Sequence, residues 1–117
     1  MRLLLAFIRV GRLDALLDAL GEHHAQGLSI SPCRGFGQEH DNDHPEHKDY
    51  LGVDLTAKLR VELVCGDEEV EELLETIYVA LHTGQAGDGK VFVLTVLDAL
   101  RLKTGERGPD ALGPSIH

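Results

Sequence analysis

The chain has 117 residues, of which 43% are hydrophobic, so its length and composition suit one compact domain with its own core. Twenty acidic residues against 11 basic ones give a net charge of −9 at pH 7. Such an acidic surface argues against non-specific binding to nucleic acid or to an anionic membrane, because both need basic surfaces. We therefore expect no nucleic-acid partner, although a local basic pocket for an anionic metabolite remains open.

An apolar run at residues 3–8 predicts a strand that is buried on both faces. The run is too short for the core of a signal peptide and far too short to cross a bilayer. We therefore expect no membrane insertion and a cytoplasmic location. A helix is expected over residues 12–25, where leucines recur at the i, i+3, i+4 and i+7 positions: Leu13, Leu16, Leu17 and Leu20.

A second strand is expected at residues 28–34, where Pro32 suggests an edge position. Residues 35–55 form a polar segment that is longer than most loops of compact domains, so it is either functional or disordered. A third strand is predicted at residues 58–65, where apolar side chains alternate with others. One face would carry Leu59, Val61, Leu63 and Cys65, and the other Lys58, Arg60, Glu62 and Val64.

Asp67 is expected to cap a second helix, because its short carboxylate can accept from the amides of the first turn. The buried face of this helix is marked by apolar residues at helical spacing: Val70, Leu73, Leu74, Ile77 and Leu81. Gly84 is expected to end it. A fourth strand is then predicted at residues 91–96, a turn at 98–100 and a short strand at 101–103, before a tail rich in glycine and proline.

The predicted order is β-α-β, a long loop, and β-α-β again. It indicates an α+β, ferredoxin-like βαββαβ sandwich, with both helices on one face of an antiparallel sheet. The other face of the sheet also carries apolar groups. A small sheet with one bare apolar face usually buries it by oligomerising.

The two cysteines, Cys33 and Cys65, lie in apolar runs, and no C-x-x-C pair occurs. We expect small buried thiols and no disulfide framework. If the polar segment joins an antiparallel pair, positions equidistant from its centre face each other. Cys33 is then expected near Lys58 and not near Cys65.

Residues 83–90, Thr-Gly-Gln-Ala-Gly-Asp-Gly-Lys, place three glycines and a lysine between a helix and a strand. Glycine lets backbone N–H groups approach a ligand closely, successive N–H groups can form an anion nest, and lysine supplies a charge for phosphate. The simpler interpretation is a helix stop followed by a tight turn. The motif is not a Walker loop, which would need Ser or Thr at Val91.

Lys90, Arg101 and Lys103 form a basic set in an otherwise acidic protein, which is what a polyphosphate site needs. Alternatively, Arg101 and Lys103 are solvated charges on a strand. The chain lacks the usual sequence signatures of enzymes: it has no Ser-His-Asp spacing, no dinucleotide fingerprint and no H-E-x-x-H motif. We therefore expect a protein that is not an enzyme.

Several elements occur in the order and spacing of one family: Gly35-Phe36-Gly37, Val53-Asp54, Lys58, residues 83–93 and residues 101–107. In them the chain resembles the PII signal-transduction proteins over nearly its whole length. The resemblance implies one domain at residues 1–112, with a tail at 113–117, assembled as a homotrimer. It also implies clefts between protomers that bind ATP, ADP or AMP. Residues 35–57 would be the T-loop, which docks onto a target transporter or enzyme.

The resemblance also implies roles for individual residues. Gly87, Asp88, Gly89 and Lys90 would cradle the phosphates, and Arg101 and Lys103 would reach in from the adjacent subunit. The base and ribose would be framed by Gly35, Gly37 and Val64, with polar contacts from Ser29. Lys58 would pair with the carboxylate of an effector such as 2-oxoglutarate.

The polar segment departs from the family pattern. Leu51 stands where many members carry a modifiable tyrosine, so control by that modification is not expected. Glu39 stands where members carry a glutamine that helps to hold Mg²⁺ shared by ATP and 2-oxoglutarate. A carboxylate can also hold Mg²⁺, but it repels a dianion. We therefore expect weakened 2-oxoglutarate sensing, and bicarbonate as an alternative effector, as in a family branch linked to carboxysomes and inorganic-carbon transport.

His40, His44 and His47 stand among acidic residues in the same segment, a composition that can bind a divalent metal. The simpler interpretation is a solvated loop. A metal-responsive module of the same fold is thus the alternative to a sensor of nucleotide and small carboxylates.

Overall fold

The computed structural model describes residues 1–25, 27–35, 48–49 and 53–113. The strands are β1 (Arg2–Arg9), β2 (Ser29–Gly35), β3 (Lys48–Asp49), β4 (Val53–Asp54), β5 (Thr56–Cys65) and β6 (Lys90–Thr95). The helices are α1 (Leu13–Ala25) and α2 (Val70–Leu81). Short 3-10 helices lie at Val10–Arg12, Asp67–Glu69 and Gly108–Leu112.

Four strands form one antiparallel sheet in the order β2-β5-β1-β6, and β3 pairs with β4 in a separate ribbon. Helix α1 connects β1 to β2, and α2 connects β5 to β6, so each half of the chain is a split β-α-β unit. The predicted α+β, ferredoxin-like arrangement is confirmed.

The core lies between the helices and one face of the sheet. Alternate residues of β1 and β5 point into it, as the two-residue period of a strand requires. The sheet contributes Leu4, Ala6, Ile8, Val61, Leu63 and Cys65, and the helices contribute Leu16, Leu20, Leu73, Ile77 and Leu81. Burying each of the larger side chains stabilises the fold by about 1.5–3 kcal/mol, so these aliphatic groups hold the layers together.

The opposite face of the sheet, called here the uncovered face, is also apolar. Leu5 pairs with Phe92 and Leu3 with Leu94 across β1 and β6. Phe92 and Leu94 are 48% and 42% exposed, and the Phe7 and Phe92 rings meet edge to face at 6.3 Å. An apolar face of this kind is typical of a surface that another chain covers.

The predicted register of the long connection is confirmed. Cys33 of β2 lies directly across from Lys58 of β5, while Cys65 pairs with Arg2 at the far end of the sheet. Both cysteines are free thiols. Burial, followed by the nearby Glu69 carboxylate, raises the pKa of Cys65.

Two local predictions were wrong, and the first helix, which is confirmed, has an interruption. Asp67 does not cap α2, because it pairs with the Met1 ammonium at 2.8 Å, while the Gly66 N–H donates to Glu69 Oε1 at 3.1 Å. Gly21 interrupts α1 with a φ of 77°. Residues 101–103 lie in a turn and not in a strand, because the Arg101 carbonyl accepts from Gly105 N–H at 2.8 Å.

Candidate functional site

Residues 82–89, called here the glycine-rich loop, connect α2 to β6. Gly84, Gly87 and Gly89 have φ values of 83°, 98° and 102°, a region that side chains with a Cβ rarely adopt. At Gly89 a Cβ would stand 1.9 Å from the Phe7 carbonyl oxygen. The glycines are therefore required both by the conformation of the loop and by its close approach to the end of β1.

The Asp88 side chain closes the loop. Its carboxylate accepts hydrogen bonds from Thr83 N–H at 2.7 Å, from Gly84 N–H at 3.0 Å and from the Thr83 hydroxyl. These bonds, led by the one from the Thr83 hydroxyl, lower the pKa of Asp88 to about 2. Asp88 therefore stays ionised at physiological pH and turns towards the start of the loop, so a contribution to a phosphate cradle would come from its backbone N–H.

Two cations of the sheet hold the carbonyls of the loop. The Lys58 ammonium, whose residue is only 9% exposed, donates to the Gly87 carbonyl at 2.9 Å. The Arg9 guanidinium donates to the Ala86 carbonyl. Arg9 and Lys58 face each other across β1 and β5, so both reach the loop from the same end of the sheet.

Lys90 follows Gly89 as the first residue of β6 and pairs with Phe7. Directly paired residues share a face of a sheet, as do residues two apart on one strand. Lys90, Arg9 and Lys58 therefore lie on the uncovered face, beside the glycine-rich loop. The chain thus gathers three cations at one place in a protein of net charge −9.

The predicted site residues fall into two groups within one protomer. The loop group is at the end of the sheet where β5 begins: Gly35, Lys58, Gly87, Asp88, Gly89 and Lys90. The distal group is towards the other end. Ser29 and Val64 lie on β2 and β5, and the turn that carries Arg101 and Lys103 is bonded through Arg101 to Gly113, which lines a cavity with Met1 and Gly66. Lys58 and Val64 lie six positions apart on β5, which is roughly 20 Å along a strand. One protomer therefore does not bring the two groups together.

Arg101 is held by its own chain. Its guanidinium donates to the Ala111 carbonyl at 3.2 Å and to the Gly113 carbonyl at 3.1 Å, and lies 3.8 Å from Glu106. A hydrogen-bonded ion pair between Arg107 and Asp98 supports the same turn, and Asp98 also accepts from Gly108 N–H at 3.1 Å. These contacts fix the turn that carries Arg101 and the exposed Lys103.

Sequence reasoning missed two contacts of the loop, the Arg9 bond to Ala86 and the Thr83 bonds to Asp88. The second has a recognisable signal, an Asp five residues after a Thr at a helix end. The first joins residues 77 positions apart, so only the strand order reveals it.

Gly37, Glu39, His40, His44 and His47 lie outside the described residues, so their predicted ligand and metal roles stay predictions. The described part of the chain contains no group of three or more histidine, cysteine, aspartate or glutamate side chains that could hold a metal ion. Among the same residues no helix is long and apolar enough to cross a membrane.

Comparison with known proteins gives a consistent result. The family model "Nitrogen regulatory protein P-II" matches residues 1–106. The chain is 38% identical over 107 residues to a nitrogen regulatory protein P-II of Rhodospirillum rubrum, covering 92% of this chain and 96% of that protein. It is 38% identical over 113 residues to nitrogen regulatory protein P-II 1 of Methanothermobacter thermautotrophicus, with coverage of 96% and 97%.

Proposed function

The chain belongs to the nitrogen regulatory protein P-II family of signal-transduction proteins, and on that premise we propose that it is a trimeric switch that binds adenine nucleotides between protomers. ATP, ADP or AMP would bind in each cleft, with the loop group supplied by one protomer and the distal group by its neighbour. The protein acts by regulating a target, and catalysis is not part of this proposal.

The separation of the two groups is the observation that carries the proposal. The loop group offers backbone amides and cations for phosphates, whereas the distal group offers Ser29 and Val64 for a base and two further cations. Because Lys58 and Val64 are roughly 20 Å apart along β5 in one protomer, a single site that uses both needs two chains. The apolar uncovered face, with Phe92 48% exposed, supplies the surface that would bring those chains together.

The residues of the loop group suit a polyphosphate. Gly87 and Gly89 bring their backbone amides close to β1, at positions where a Cβ would meet Arg9 or the Phe7 carbonyl. Lys58, Lys90 and Arg9 supply positive charge next to those amides. A nucleotide would thus meet main-chain donors and a local positive field in an otherwise acidic molecule.

A small acid would bind beside the nucleotide at Lys58. In the structure the Lys58 ammonium donates to the Gly87 carbonyl, so an acid at Lys58 would share or take over that donor. The effector would therefore act directly on the loop that holds the phosphates. Because Glu39 repels a dianion more than a monoanion, we propose bicarbonate in preference to 2-oxoglutarate.

The output of the switch would be the conformation of the segment at residues 35–57. Nucleotide and effector change its conformation only if they bind its alternative conformations with different affinity. A transporter or enzyme of nitrogen or inorganic-carbon metabolism would recognise one of these conformations.

Isothermal titration calorimetry of the purified protein tests the proposal. We expect saturable heat with ATP, ADP or AMP at up to one nucleotide per chain, and a response to bicarbonate in the presence of nucleotide. Tight, ATP-dependent binding of 2-oxoglutarate would refute the choice of effector while leaving the nucleotide site in place. No heat with any of the three nucleotides would refute the proposed function itself.

A further inference from the structure

Arg9 is not one of the predicted site residues, but it contacts the glycine-rich loop. It is the last residue of β1, directly across from Lys58, and its guanidinium donates to the Ala86 carbonyl. A Cβ on Gly87 would stand 2.5 Å from Arg9 Nη2, so the guanidinium lies immediately against the loop. Arg9 and Lys58 thus hold two consecutive carbonyls, those of Ala86 and Gly87, towards the sheet.

Peptide geometry relates these carbonyl contacts to the direction in which the neighbouring N–H groups point. In a planar trans peptide, the carbonyl of one residue and the N–H of the next point in opposite directions, and the described chain has no cis peptide bonds. A carbonyl of Ala86 held towards the sheet therefore directs the Gly87 N–H away from it. The Lys58 bond to the Gly87 carbonyl directs the Asp88 N–H away from Lys58 in the same manner.

The loop needs such a constraint because its glycines leave its peptides free to turn. Gly84, Gly87 and Gly89 each adopt positive φ, and glycine populates both signs of φ with little difference in energy. A rotated Ala86–Gly87 peptide would present its carbonyl oxygen, and not its N–H, to a bound anion. The Asp88 N–H bond to the Gln85 carbonyl is long, at 3.4 Å, so it restrains the loop weakly.

We propose that Arg9 is a positioning residue of the nucleotide site: by holding the Ala86 carbonyl, it aims the Gly87 amide at the phosphates. The inference rests on the proposed function, because the phosphates are those of the nucleotide. Arg9 acts through the backbone of the loop and does not itself bind the phosphate. Its partner in this task is Lys58, which a carboxylate effector also engages.

Three variants test the role of Arg9. Arg9→Met removes the donors at similar length, Arg9→Lys retains a charged donor, and Arg12→Met is the matched control. Arg12 also donates to a carbonyl, that of Ala80 at 2.7 Å, but this carbonyl belongs to α2 and not to the glycine-rich loop. The control therefore removes the same charge and the same kind of bond outside the loop.

Affinities for ATP and adenosine, measured by calorimetry and competition, give the first readout. We expect Arg9→Met to lose about tenfold or more in ATP affinity, with adenosine little changed, because only ATP uses the aimed amide. Arg9→Lys should recover most of the loss, and Arg12→Met should bind both ligands as the wild type does. Unchanged ATP affinity in Arg9→Met, or equal losses for ATP and adenosine, would overturn the inference. Failure of Arg9→Lys to bind better than Arg9→Met would also overturn it, since a specific guanidinium contact with phosphate would then explain the loss.

A second readout does not depend on nucleotide. In ¹H–¹⁵N spectra of the free protein, Arg9→Met should move the amide signal of Gly87, and inorganic tripolyphosphate should shift this signal in the wild type and in Arg9→Lys but not in Arg9→Met. An unmoved signal in free Arg9→Met would overturn the inference even if the wild type bound no nucleotide. Failure of the proposed function would appear separately, as absence of nucleotide binding by the wild type.

Discussion

Replacing Gly89 with alanine should reduce nucleotide affinity by about tenfold or more, because the loop cannot keep its conformation with a side chain at this position. A Cβ here would stand 1.9 Å from the Phe7 carbonyl, and the φ of 102° is unfavourable for any residue with a Cβ. The loop must therefore move away from β1, which displaces the amides at Gly87 and Asp88. Calorimetry with ATP measures the loss.

Gly11→Ala is the matched control for this substitution. Gly11 lies in the 3-10 helix before α1, and a Cβ there would meet nothing within 4 Å. This variant should bind ATP like the wild type. If Gly89→Ala bound as tightly as Gly11→Ala, the glycine-rich loop would not be the phosphate site.

A carboxylate in place of Phe92 should separate the protomers and abolish nucleotide binding in the same step. Phe92 lies on the uncovered face, 48% exposed, where its ring meets Phe7. Burying an unpaired charge between protomers costs several kcal/mol, enough to dissociate an assembly of ordinary stability. Light scattering after gel filtration should show the wild type at three times the chain mass of 12.8 kDa and Phe92→Asp at the mass of one chain.

Val79→Asp serves as the control for the interface. Val79 is also an exposed apolar residue, at 70%, but it lies on α2, on the helical side of the sheet. This variant should remain a trimer and bind nucleotide. Dissociation of both variants alike would mean that the uncovered face has no special role, and a monomeric Phe92→Asp protein that still bound ATP would refute an intersubunit site.

The fold was predictable because hydrophobic period and chain order determine most of it. Alternation along β5 and the leucine spacing of α1 identified the buried faces, and symmetry about the long connection placed Cys33 across from Lys58. The glycines of the loop were recognisable because backbone positions with positive φ are usually occupied by glycine.

The remaining errors have physical causes that cannot be read from a local sequence pattern. The capping of α2 depends on the Met1 ammonium, a competing partner for Asp67 that is brought close only by the folded sheet. The turn at residues 101–103 looked like a strand because its charges alternate with Leu102. Its conformation follows instead from backbone hydrogen bonds between Arg101 and two residues that follow it: Gly105 N–H donates to the Arg101 carbonyl, and Arg101 N–H donates to the Glu106 carbonyl.

The positions of the candidate site residues along the sheet follow from the register of the strands. Ser29, Val64 and Lys58 lie on two neighbouring strands, and the register predicted about the long connection already separates Ser29 from Lys58 along them. The pairing of Ser29 with Glu62 and of Cys33 with Lys58 separates them. The register of β1 with β5 brings Arg9 beneath the glycine-rich loop. The end of β1 therefore becomes part of the proposed site.

Mixing two defective variants tests most directly whether each nucleotide site is shared between protomers. Gly89→Ala damages the loop group, Arg101→Ala damages the distal group, and each trimer alone should bind ATP poorly. After unfolding and refolding the two together at equal amounts, about a quarter of the clefts should combine an intact loop with an intact distal group and regain wild-type affinity. If no mixture regained ATP binding beyond that of the separate variants, each site would lie within one protomer and the account would be contradicted.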